Sequence, residues 1–130
     1  MKNFKHYLEQ AREEESDDYK IVDGVKGEVY NNGMIIVNAG NISDAVKNDP
    51  KYNNEKIDEK IQQYIQQAKD SGYGSIPSES YARHITVVME WVKNNNAYYY
   101  AEEKHNFNIY IAMMDAKKEN KNIVVADNLS

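Results

Sequence analysis

The stretch YKIVDGVKGEVYNNGMIIVN, residues 19–38, decides the fold class. Three short β-type runs, Tyr19–Val22, Val25–Tyr30 and Met34–Asn38, are separated by Asp23-Gly24 and Asn32-Gly33. Asn-Gly between such runs is a strong hairpin signal, because a type I′ turn needs positive φ at both central residues. The pattern predicts a small antiparallel β-meander.

On either side the period changes to that of helices. Ile57, Ile61, Tyr64, Ile65 and Ala68 fall on one face of a helix over about 54–70, with Lys56, Glu59, Lys60, Gln63 and Gln67 opposite. Ser71-Gly72 supplies a stop. Ser78 can cap a second helix whose stripe is Tyr81, Ile85, Val88, Met89 and Val92. Its β-branched Ile85-Thr86-Val87-Val88 also suits a strand; helix is preferred. Matching spacing predicts that the two helices pack on each other. Ser43–Asn48 reads as one helical turn ended by Asp49-Pro50. Upstream, Asn3 caps a stripe of Phe4, Tyr7, Leu8 and Ala11.

Ala97–Lys121 fits helix and strand alike, and Ile123–Ala126 fits a last strand or a packed tail. The expected architecture is α+β and mostly helical, a meander over 19–38 packed with three or four amphipathic helices. The 130 residues, 41% hydrophobic and 28% charged, suit one domain with its own core.

Charge is the most uneven property of the chain. Glu9, Glu13, Glu14, Glu15, Asp17 and Asp18 face only Arg12 in their segment, which therefore carries the whole formal net charge of −5. Elsewhere fifteen acids balance fifteen bases. Glu13, Glu14 and Glu15 meet the C-terminal end of the first predicted helix, where the dipole disfavours them. They repel phosphate and attract basic surfaces, so direct nucleic-acid binding is not expected.

No cysteine is present, which removes thiol catalysis and cysteine metal sites and suits a reducing compartment. The first residues lack the run of about 7–15 apolar residues of a secretory signal. A membrane span needs about 20, so no membrane association is expected. A cytoplasmic location follows as an expectation. Sixteen Asn against two Arg, with eleven Tyr, reflect AT-rich codons and point to a low-GC bacterium, its phage or a mobile element.

Candidate chemistry is sparse. His84-Ile85-Thr86 resembles half of the paired His-x-Thr pattern of two-histidine phosphoesterases. That chemistry needs a second such pair, one imidazole as base and one as acid. His6 and His105 lack a Ser or Thr two residues on. Ser80 and His84 share a helical face, but no nucleophile elbow surrounds the serine. Gly72-Tyr73-Gly74-Ser75 reads as a turn rather than a phosphate loop, since it joins two helices and carries no lysine. The acids do not match a calcium-loop spacing, so neither metal nor cofactor is expected.

Tyr98-Tyr99-Tyr100, with Trp91 and Tyr110, is the remaining unusual feature. Tyrosine gives a large contact area with few torsions to freeze and tolerates a wet rim. The sequence thus predicts a non-catalytic interaction protein, an inhibitor or regulator that meets a basic partner. Its contact residues are Glu9, Glu13, Glu14, Glu15, Asp17, Asp18, Tyr98, Tyr99 and Tyr100. The alternatives are a nucleotide-like small-molecule binder stacking on Tyr98–Tyr100 and Trp91, and an enzyme using His84 and Thr86. A homodimer through Ala97–Lys121 is a further expectation.

Overall fold

In the computed structural model, residues 16–72, 74–100 and 109–127 are described. Strands β1 (Tyr19–Val22), β2 (Val25–Val29) and β3 (Ile35–Asn38) are followed by helical turn α1 (Ile42–Ala45). Helices α2 (Glu55–Ser71) and α3 (Glu79–Asn94) come next, then β4 (Tyr98–Tyr100), α4 (Ile109–Lys118) and β5 (Ile123–Ala126). The protein is α+β, as the sequence predicts. The first predicted helix, with Phe4, Tyr7, Leu8 and Ala11, lies outside the described residues.

The meander is only part of the sheet. Strand order is β1-β2-β3-β5-β4, with β1-β2 and β2-β3 antiparallel but β3-β5 and β5-β4 parallel. The ambiguous Ala97–Lys121 resolves into both alternatives, a strand at Tyr98–Tyr100 and a helix from Ile109. A parallel neighbour requires a crossover, which α4 provides between β4 and β5. The unbroken apolar runs Ile35–Val37 and Ile123–Ala126 fit strands covered on both faces.

Residue alternation sends β3, β4 and β5 into two cores. Val25, Val37 and Val125 meet Ile42, Ile57, Ile61, Ala82, Val87, Val88 and Trp91 on the face of α1–α3. Tyr30, Met34, Ile36, Val124 and Ala126 meet Ala112, Met113 and Ala116 of α4 on the other. Helices thus lie on both faces of the sheet.

Local signals explain the helix ends. The Asn54 side chain accepts from the Ile57 amide at 3.0 Å, and Ser78 Oγ from the Tyr81 amide at 3.1 Å. Gly72 closes α2 at φ 67°. The helices pack together as predicted, with Arg83–Asp58 at 2.9 Å and a Lys60–Glu90 ion pair between them.

The buried face of α3 differs from the predicted stripe. It comprises Ala82, Thr86, Val87, Val88 and Trp91, while Tyr81 and Met89 are 52% and 46% exposed. Arg83 and Glu90 turn towards α2, whereas His84 reaches α1 and Trp91 reaches the first hairpin. A helix held on two sides buries a different arc from one packed against a single neighbour.

The first tight turn is of the expected kind, and the second is not. Asp23 and Gly24 have φ of 46° and 82°, the signature of a type I′ turn. At the second turn only Gly33 is positive, at 85°. Tyr30 pairs with Met34 through a 2.8 Å amide bond, and the Gly33 amide bonds Tyr30 O at 2.9 Å. This is a three-residue hairpin loop with glycine in the left-handed position. Among the described residues, sequence neighbours aside, no atom lies within 4 Å of a Cβ added at Gly33, so substitution there tests backbone conformation. Gly33→Val should cost about 1–2 kcal/mol and Gly33→Asn clearly less in urea denaturation. Equal losses would show that the left-handed conformation is not what the turn requires.

Asp23 joins the hairpin to the helical layer. Its carboxylate accepts from Lys51 Nζ at 2.6 Å, from Tyr52 OH and from Asn95 Nδ2 at 3.0 Å. Burial pushes this carboxyl up, but the three hydrogen bonds and the lysine charge outweigh it and hold the group below its ordinary value. The contribution of the charged form is therefore complete above about pH 4, the unfolded value, and is lost as pH falls through the folded one. Asp23→Asn should lower stability at pH 7 and flatten its decline in acid. Parallel wild-type and mutant curves between pH 7 and pH 3 would contradict this.

Candidate functional site

Two of the six predicted acids fall within the described residues. Asp17 and Asp18 are both exposed and lead directly into β1. The Ser16 hydroxyl donates to Val29 O, and the Val29 amide donates to Asp18 O at 3.0 Å, so this entry to β1 is fixed to β2. Glu9, Glu13, Glu14 and Glu15 lie outside the described residues.

The predicted tyrosine surface is partly taken up by packing. Tyr98, Tyr99 and Tyr100 form β4 and are all half-buried. Tyr99 packs on the first core, and Tyr98 and Tyr100 on the second, as alternation demands. The Tyr99 hydroxyl donates to Asp127 at 2.8 Å; burial first, and then this carboxylate, raise its pKa to about 12. Trp91 is wholly buried and donates through Nε1 to Asp23 O at 3.3 Å, so it has no face on which a ligand can stack.

More exposed aromatic and apolar surface lies on β1, where the sequence analysis placed none. Tyr19 is 63% and Ile21 57% exposed. Directly opposed residues share a face, so the pairs Tyr19↔Glu28 and Ile21↔Lys26 place these four side chains together. Glu28 in turn opposes Ile36, a member of the second core, so this is the face on which α4 packs. The α4 core involves β3 and β5, with Tyr98 and Tyr100 of β4 packed beside it, while the β1-β2 end lies outside it.

Lys26 Nζ sits 4.8 Å from the centre of the Tyr19 ring. Two shallow hollows adjoin there and share Lys26 and Glu28. One, of about 340 Å³, also has Ser16, Asp17, Asp18 and Tyr19 in its walls. The other, of about 190 Å³, extends to Ile36, Asn38 and Asn41. Alternation of Tyr19 and Ile21 was visible in the sequence, but which strand stood at the sheet edge was not.

Histidine chemistry finds little support in the geometry. His84 Nδ1 lies 2.7 Å from Ser43 Oγ, not paired with Ser80. Thr86 is buried two residues further along the helix, about 200° around its axis, so His84 and Thr86 do not converge on one point. No carboxylate bonds the imidazole among the described residues, and a serine–histidine contact without an orienting acid ties α1 to α3. Among those residues no group of three or more metal-ligating side chains occurs, and no helix is long and apolar enough to cross a membrane.

No family model matches this chain, and neither a curated protein nor a solved structure matches it.

Proposed function

We propose that the protein is a non-catalytic interaction protein, an inhibitor or regulator that engages a basic surface of a partner protein. The observation that carries this reading is the continuity of Asp17 and Asp18 with the exposed Tyr19 and Ile21 of β1. Acids speed and orient the encounter, while an aromatic and an aliphatic side chain supply desolvated contact. Tyr98–Tyr100 contribute mainly to the fold in this reading, and Tyr19 takes the role that the sequence assigns to them.

The experiment reverses Glu13, Glu14 and Asp17 to Lys. Each change should move stability by only about 0.5 kcal/mol. Association with a basic protein partner isolated by affinity pulldown should slow markedly, with a weaker salt dependence, in stopped-flow or surface-resonance measurements. A triple mutant that binds like wild type at both low and high salt would contradict the proposal.

A further inference from the structure

The edge of β1 carries a second feature besides its side chains. In an antiparallel ladder, residue pairs alternate between those that exchange both backbone hydrogen bonds and those whose amides and carbonyls point away. The bond from the Val29 amide to Asp18 O makes 18↔29 a bonded pair. Counting along the register, 20↔27 and 22↔25 are bonded pairs, whereas 19↔28 and 21↔26 are not. Tyr19 and Ile21 therefore direct N–H and C=O outward from the sheet, and β1 pairs with β2 alone among the described residues. The two residues with outward backbone groups are also the two exposed large hydrophobic residues of the strand.

Such an edge is a template for another strand. We infer that β1 binds an extended, lysine- or arginine-bearing segment of a protein partner by strand addition, through the outward backbone groups of Tyr19 and Ile21. This rests on the interaction reading above and specifies the partner's conformation. Charge selects the occupant: Asp17 and Asp18 adjoin the edge and continue the acidic run from Glu9. A second copy would bring the same acids together unless its strand ran antiparallel and displaced them. Backbone bonds give affinity in this mode, and alternate side chains of the added strand meet Tyr19 and Ile21.

The test uses the full chain, ¹⁵N-labelled, and an eight-residue peptide alternating lysine with valine as probe. Without peptide, the Tyr19 and Ile21 amides should exchange rapidly while Lys20 and Val22 are protected. Peptide should slow exchange at Tyr19 and Ile21. Ile21→Pro deletes one outward donor at an edge position that tolerates proline. It should weaken binding at least about tenfold more than Ile21→Ala, which keeps the donor.

Asp17→Lys with Asp18→Lys should weaken binding of the same peptide in low salt. Loss on this charge reversal, with no protection at Tyr19 and Ile21 and equal affinity of the proline and alanine variants, would overturn strand addition and leave the interaction reading standing. Absence of salt-dependent binding to millimolar peptide, with charge reversal without effect, would overturn both. Protection that grows with protein concentration in the absence of peptide would identify a second copy as the occupant and overturn the basic-segment assignment.

Discussion

Trp91→Ala is expected to lower the free energy of unfolding by about 3–5 kcal/mol, the range for truncating a buried aromatic to alanine. Trp91 is fully buried in the first core, and its indole N–H bonds the main chain at Asp23. Alanine removes that packing and also the link from α3 to the first turn. Trp91→Phe keeps an aromatic ring but abandons the 3.3 Å bond, so an intermediate loss of about 1–3 kcal/mol should result. Domains are usually stable by about 5–15 kcal/mol, so the alanine variant should melt far lower if it folds at all. Urea denaturation measures both variants. A Trp91→Ala protein within about 1 kcal/mol of wild type would mean that the first core is not assembled around this residue.

Ile61→Ala should cost about 2–5 kcal/mol through lost burial and the cavity left behind. Ile61 sits in the middle of α2, almost completely buried against α3, whereas Gln63 is exposed. Gln63→Ala should stay within about 0.5 kcal/mol. The pair isolates the face of α2 from its helix propensity, since both replacements introduce alanine. Equal melting temperatures for the two would remove that face assignment.

The elements most legible in the sequence were those whose signals are local. Asn54 and Ser78 capped α2 and α3, Gly72 ended α2, and the Ile57–Ile61 stripe turned inward, because each follows from neighbours within a turn or two. The course of the chain beyond residue 96 was less legible. A three-residue strand such as Tyr98–Tyr100 has too little length to show a period. Its assignment depends on Val124–Ala126, more than twenty residues away, and in turn on Ile36–Asn38. The apolar runs of β3 and β5 did hold a clue, since strands that need covering on both faces lack polar alternation. Similarly, the buried arc of α3 depended on two neighbours at once, which an isolated helical stripe does not encode.

The candidate surface divides in the same way. Asp17 and Asp18 stand out as charge in the bare sequence, and the structure leaves them exposed. Tyr19 and Ile21 acquire their interest only from sheet order, because the same two side chains on a central strand would be core. Three adjacent tyrosines drew attention by composition, yet a strand necessarily sends them to alternate faces. Both faces carry a core here.

The most direct measurement places a photo-crosslinking phenylalanine at position 19 and, separately, at Met89 on the exposed flank of α3. Each protein is irradiated in cell extract at low and high salt, with and without reversal of Asp17 and Asp18 to Lys. A discrete crosslinked partner is expected from position 19, fading with salt and with charge reversal, and none from position 89. A partner captured from position 89 alone, unaffected by salt or by the acids, would contradict it.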